Sequence, residues 1–209
     1  MNRTLLSILI QLGLVLGAVS LSSCGTSRDT RNQMIVSVRD QQMLLVRDGN
    51  PVKAYRISTS KFGLGSERGS NRTPLGQMEV ARKIGSGQPA GMVFKNRRPT
   101  GEVIRPNSPG RDPIVGRILW LHGRESHNRN TFGRYIYIHG TPEEYRLGSP
   151  ASYGCIRMSM RDVVDLYNRV GEGAQVRVMR GSLLTTPEGL AYAQRRGNAH
   201  HIGQTSMRR

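Results

Sequence analysis

Cysteine is nearly absent from this 209-residue chain: Cys24 and Cys155 are the only two, so a single disulfide is the most it could form. Acidic residues are also scarce, with 14 Asp+Glu against 31 Lys+Arg and a formal net charge of +17. Such a balance speaks of partners and not of fold. Nucleic acid would be one anionic partner, but no helix-turn-helix, RNA-recognition or zinc-finger pattern is present, and none is expected to bind. An anionic envelope surface or anionic lipid asks for the same charge. Hydrophobic residues make up 36% and aromatics 5%, which allows a modest core, while 25 glycines imply many turns and few long helices. No period of repeat-protein length is visible.

Long apolar runs are missing too, with one exception at the amino terminus. Met1-Asn2-Arg3 is a short positive region and Leu5 to Val19 is almost uncharged, too short for a comfortable membrane span and right for a signal-peptide core. Leu21-Ser22-Ser23-Cys24-Gly25 then resembles the lipobox of bacterial lipoproteins, in which the cysteine becomes the acylated first residue. The resemblance implies a signal peptide over 1–23, a lipidated tether over 24–32 and an extracytoplasmic protein anchored to a membrane through Cys24. Gly25 in place of aspartate implies the periplasmic face of the outer membrane in a cell that has two. The other reading is an ordinary small-residue cleavage site with Cys24 incidental. A lipidated Cys24 would leave Cys155 as the one free thiol in an oxidising space, more often a reactive group than a structural one. A Cys24–Cys155 disulfide would abolish both roles.

Beyond the tether, Gln33 to Val38, Gln42 to Val46 and Val52 to Thr59 read as strands, with Asp48-Gly49 as a hairpin turn. Residues 58–73 form a Gly- and Ser-rich loop, either a binding loop or a plain connection, that leads into a strand at Gln77 to Lys83. The Pro-rich stretch 84–113 is expected to hold no regular element apart from an extended piece near Met92-Val93-Phe94. Ile114 to Leu121 and Tyr135 to His139 are the strongest strands. Ser159 can cap a helix with Asp162 in the capping-box position, carried by Val163, Leu166, Tyr167 and Val170 and stopped at Gly171. Gln175 to Met179 is a last strand. The remainder, 182–209, reads as a basic tail with one short helix capped by Thr186 ahead of Pro187; from Arg195 onward it is expected to be disordered or loosely docked.

Chemistry concentrates between His139 and Met158, HGTPEEYRLGSPASYGCIRM. A thiol is a good nucleophile only as thiolate, and a nearby imidazole is the usual means of making one. Ser152-Tyr153-Gly154-Cys155 reads as a tight turn presenting Cys155, and Gly140 leaves a carbonyl free to orient the His139 ring. His139-Gly140-Thr141, Ser152-Tyr153-Gly154-Cys155-Ile156-Arg157-Met158 and the upstream Arg72-Thr73-Pro74-Leu75-Gly76 together resemble the signature of the L,D-transpeptidase (YkuD-like) catalytic domain. The resemblance implies a catalytic domain over about 33–181. The fold class expected is β-rich α+β, a mixed β-sheet sandwich or barrel with one main helix after the catalytic cysteine. Many members carry histidine where Tyr153 stands, so only His139 is left here as base.

On this reading Cys155 is the nucleophile, His139 the general base and Gly140 its orienter, with no acidic partner evident. The turn N–H groups of Gly154 and Cys155, with Tyr153, face the oxyanion; Ser152 bonds within the turn and Tyr153 lines the groove. Arg157 either meets a substrate carboxylate or stiffens the loop through a salt bridge, and Thr73 lies near the substrate groove. His122 is the rival base, and a zinc site from His122, His127, His139 and Cys155 is disfavoured by spacings that match no compact ligand pair. No cofactor and no metal is implied, and a monomer is expected. The family acts on the tetrapeptide stem of peptidoglycan, releasing terminal D-alanine and forming 3→3 cross-links. The alternatives are a carboxypeptidase on the same scaffold and a non-catalytic wall-binding lipoprotein.

Overall fold

The computed structural model describes residues 27–206; the expected signal peptide, Cys24 and the start of the tether lie outside them. Strands occupy Asn32–Ser37 (β1), Gln42–Arg47 (β2), Asn50–Ser58 (β3), Gly76–Ile84 (β4) and Met92–Lys95 (β5). They continue with Arg98–Val103 (β6), Ile114–Gly123 (β7), Tyr137–Gly140 (β8), Ile156–Met158 (β9) and Gln175–Met179 (β10). Two helices follow the catalytic motif, Met160–Arg169 (α1) and Pro187–Ser206 (α2). The sheet runs β4-β10-β1-β2-β3-β9-β8-β7, and a further β4–β7 pairing closes these strands into a barrel, with the β5–β6 hairpin added beside β7. The fold is therefore the expected β-rich α+β class, closed as a barrel, with α1 as the main helix expected after the cysteine and α2 a longer form of the short helix expected behind Thr186.

Period-2 alternation sorts side chains to the two faces. Met34, Val36, Met43 and Leu45 point into the main core with Tyr55, Leu119, Ile138 and Ile156. Their strand neighbours Ile35, Leu44 and Val46 form a second cluster on the outer face with Leu183 and Tyr192. Both faces are thus apolar on β1 and β2, which is why these strands read as continuous hydrophobic runs. Covering that outer face is the work of the carboxyl-terminal segment, where the helix expected behind Thr186 and Pro187 forms and docks. Thr186 Oγ1 accepts from Gly189 N at 3.0 Å, starting α2, Ala54 N donates to the Tyr192 hydroxyl at 3.2 Å, and Arg195 donates to Pro51 O at 3.1 Å.

Asp48 and Gly49 both take positive φ, +49° and +74°, the geometry of the two-residue hairpin turn their sequence suggested. Ser159 caps α1 by accepting from Asp162 N at 3.0 Å. The buried face of α1, with Val163, Leu166 and Tyr167, joins the main core. The stretch 84–113 is more regular than its composition suggested. β6 pairs with β5 although all six of its residues are exposed and carry no apolar alternation, so no hydrophobic period marked it.

Candidate active site

The parallel pairing of β8 with β9 builds the site. Ile138 lies opposite Ile156, His139 opposite Arg157 and Gly140 opposite Met158. Ile138, Ile156 and Met158 point into the main core. Alternation therefore sends Tyr137, His139 and Arg157 to the other face, and Cys155, the residue before β9, packs there against Tyr137 and Ile118. Cys155 and His139 come from adjacent strands, two residues apart in register and on one face.

Cys155 is a free, half-buried thiol. The Tyr137 N–H donates to its Sγ at 3.4 Å, and its S–H donates to the Tyr135 carbonyl at 3.5 Å. His139 is 5% exposed, and its Nδ1 lies 2.8 Å from the Gly140 carbonyl. A carbonyl can only accept, so the proton sits on Nδ1 and Nε2 keeps its lone pair. No hydrogen bond joins His139 to Cys155 among the described residues; catalytic contacts of this kind commonly tighten only when substrate is bound. Burial pushes the thiol up to about 11, against the Tyr137 N–H and the charges of Arg157 and Arg134. Burial likewise pushes His139 down to about 4, against the Gly140 carbonyl. At neutral pH the pair therefore rests as thiol and neutral imidazole, so the proton moves as the thiol attacks.

Glycine is required twice. A Cβ on Gly140 would stand 2.7 Å from the Val115 carbonyl and 3.0 Å from Val163 Cγ1, so only glycine lets β7 and α1 approach the His139 strand this closely. Gly154 sits at φ +117° with Arg72 O and Ile136 Cδ1 each 3.3 Å from where a Cβ would be.

The 58–73 loop holds the cysteine turn in place. Thr59 O accepts from the N–H groups of Ala151 and Ser152, both at 2.9 Å, and Lys61 N donates to Ser152 O at 3.1 Å. Thr73 is fully buried: its hydroxyl donates to Gly154 O at 3.0 Å and accepts from Ser60 N at 3.0 Å. It cannot touch substrate, so the expected binding role becomes a positioning one. Ser152 Oγ bonds within the turn as expected, donating to Cys155 O at 2.5 Å and accepting from Gly154 N at 3.2 Å. That second bond occupies the Gly154 N–H and removes it from the expected oxyanion donors. The N–H groups of Tyr153 and Cys155 have no acceptor among the described residues.

Arg157 is the other correction. Its guanidinium is 8% exposed, with Nη2 2.5 Å from Asp112 Oδ2 and Nη1 3.3 Å from Glu143 Oε2. Two carboxylates already neutralise it, so a substrate carboxylate would have to displace one of them. The loop-stiffening salt bridge is what the geometry offers. Asp112 also accepts from the Thr141 hydroxyl at 2.5 Å, which ties 112 to the residue after the His139-Gly140 pair. Neither acid carried a signal in the sequence: Asp112 stands in the Pro-rich stretch and Glu143 in a loop.

Tyr153 is 58% exposed and forms the rim with Phe62, their rings 5.3 Å apart. Lys61 Nζ donates to the Tyr153 hydroxyl at 2.9 Å. Cavities open on either side of the Tyr135–Tyr137 backbone that grips the sulfur. One, of about 290 Å³, is lined by Arg68, Asn71, Arg134, Ile136 and Tyr153; the other, of about 390 Å³, by Asn96, Arg97, Ile114, Tyr135 and Tyr137. His122 lies farther along β7, opposite Glu79 and edge-on to Phe132, with no bond to Cys155. Among the described residues no three His, Cys, Asp or Glu side chains gather as metal ligands.

Residues 31–178 match the family model described as YkuD, the L,D-transpeptidase catalytic domain. A Bacillus subtilis protein, YqjB, itself a candidate L,D-transpeptidase, is 27% identical over 143 residues, 68% of each chain. Among solved structures, an L,D-transpeptidase from Mycobacterium smegmatis is 16% identical with a TM-score of 0.46, covering 71% of this chain and 58% of its own. L,D-transpeptidase 3 from Mycobacterium tuberculosis is 19% identical with a TM-score of 0.46, covering 72% and 61%. This chain thus spans about three fifths of the length of those mycobacterial proteins.

Proposed function

The chain belongs to the YkuD L,D-transpeptidase catalytic-domain family, and from that premise we propose that it is a cysteine acyltransferase acting on peptidoglycan tetrapeptide stems. The observation that carries this reading is the placement of a free thiol and an Nε2-basic imidazole on one face of adjacent strands. Nε2 of His139 takes the thiol proton as Cys155 Sγ attacks the amide carbonyl before the terminal D-alanine. The oxyanion meets the open N–H groups of Cys155 and Tyr153. Collapse breaks the C–N bond, the Nε2 proton goes to the departing amine, and D-alanine leaves a thioester on Cys155. An amine of a neighbouring stem then gives its proton to Nε2 and attacks the thioester, forming a 3→3 amide and releasing the sulfur, which recovers the proton.

Incubating the protein with purified tetrapeptide muropeptides, with and without an added amine acceptor, tests this directly. D-alanine release and a cross-linked product are expected, and Cys155→Ala is expected to give neither. Release of D-alanine with no product containing the acceptor would move the assignment to a carboxypeptidase, and release that survives Cys155→Ala would end it. The Leu21-Ser22-Ser23-Cys24 segment supports a further part of the proposal, a lipid anchor on the extracytoplasmic side of a membrane. Cys24→Ser should then shift the protein from the membrane to the soluble fraction, and an unchanged partition retires the anchor.

A further inference from the structure

The β5–β6 hairpin turns through Asn96 and Arg97, with Lys95 paired to Arg98 across a two-residue loop. Both turn residues are left-handed, at φ +52° and +66°. That is a type I′ arrangement, in which the second position favours glycine and an arginine is strained. The arginine there is held in a particular place. Its guanidinium carbon lies 5.0 Å from the Trp120 ring centroid and 5.0 Å from that of Tyr135, and its charge also faces Tyr137. No carboxylate among the described residues lies within salt-bridge distance of it. Arg97 thus presents a cation to the 390 Å³ cavity whose wall includes Tyr135 and Tyr137. The backbone of those same two residues holds the sulfur of Cys155.

A guanidinium mounted on aromatic faces, lacking an acidic partner and beside a nucleophile, is suited to a planar anion. We propose that this cavity is a carboxylate subsite for the peptide whose amide Cys155 attacks, with Arg97 as its anchor. The inference rests on the acyl-transfer reading and adds which substrate group the site recognises. A stem peptide offers more than one carboxylate, the C-terminal one and any on the side chain of its third residue. Their shared chemistry defines the subsite.

Trp120 is the chain's single tryptophan, so its fluorescence reports directly on the ring beneath Arg97. The full chain carrying Cys155→Ala would be titrated with a tetrapeptide ending in D-alanine, its C-terminal carboxamide, and the same peptide amidated on the third residue's side chain. The free acid is expected to bind about tenfold more tightly than the one amide that removes the recognised carboxylate. Arg97→Gly, added to the same chain, should erase that difference while leaving the thermal midpoint unchanged or higher, because glycine relieves the left-handed turn. Arg97→Lys should restore part of it. Equal binding of acid and both amides overturns the subsite. So does an Arg97→Gly variant that lowers the thermal midpoint and weakens all three peptides alike, the mark of a structural arginine. Turnover of the same peptides by the native chain reads the acyl-transfer assignment separately, and binding without discrimination would leave that assignment standing.

Discussion

Charges are handled differently on two sides of the barrel. Along the β2–β3 hairpin and α1 the cations are matched: Arg31 Nη2 lies 2.6 Å from Asp48, Lys53 Nζ 3.0 Å from Asp165 and 3.4 Å from Asp162, and Arg169 Nε 2.8 Å from Asp165. Around the catalytic face they are not. Arg134 donates to the carbonyls of Gly65 and Arg72 at 3.2 and 2.7 Å, Lys61 to a tyrosine hydroxyl, and Arg97 rests on aromatic rings. Arg157 and Arg146, which share Glu143, are matched there, and Arg157 is buried. The matched side needs its carboxylates for the fold. The unmatched side leaves a positive field over a thiol and two cavities, which favours a thiolate in transit and an anionic ligand.

That contrast can be broken from either side. His139→Ala should lower acyl transfer by about 10²- to 10⁴-fold with little change in thermal midpoint, whereas His122→Ala should keep most activity; equal losses would mean the base was misassigned. Arg157→Ala should behave in the opposite sense, as a fold mutation. Leaving Asp112 without its cation in a buried place, with Glu143 keeping only Arg146 at 3.1 Å, costs about 3–5 kcal/mol, measurable by urea unfolding. A loss there below about 1 kcal/mol would show that the bridge is not structural.

The pH dependence sharpens the comparison further. With the thiol raised to about 11 and the imidazole lowered to about 4, iodoacetamide should alkylate Cys155 ever faster as pH rises through 7 and 9. The sign follows because a raised thiol pKa withholds the thiolate until high pH. A fast plateau already present at pH 6, read by mass spectrometry, would instead reveal a preformed thiolate–imidazolium pair. The smallest effect belongs to the matched side. Lys53→Ala should cost less than about 1 kcal/mol, since its amine is partly solvated and its carboxylates keep other partners. Raising salt should weaken peptide binding at the catalytic face while leaving that stability nearly unchanged.

Much of this was legible in the sequence where a local rule applied. The Asp48-Gly49 turn, the Ser159 cap and the β-branched strands declare themselves through dihedral preference, capping and alternation. Cys155, His139 and Gly140 stand in a compact, unusual motif, and the structure brings the Cys155 and His139 side chains to one face, with the Gly140 carbonyl on the His139 ring. What could not be read depends on neighbours distant in the chain. Thr73 looked like a groove residue, but it lies 81 positions from the Gly154 carbonyl it holds. Which of its two expected roles Arg157 takes could not be read, because Asp112 and Glu143 have no local pattern. The Gly154 N–H looked available because the sequence suggests that Ser152 bonds within the turn without saying which N–H it takes. β6 has no hydrophobic period, and α2 has a weakly polar sequence whose reason to dock is an apolar patch on strands over a hundred residues earlier.

The parallel pairing of Gln33–Ser37 with Gln175–Met179 has a consequence in time. A ribosome makes the first strand long before the last, so the opening strand must wait, one edge unmatched, until nearly the whole barrel has been synthesised. Non-local closure of this kind makes for slow folding and a prolonged need for protection against aggregation. A nascent chain halted anywhere before β10 would lack a wall of its barrel.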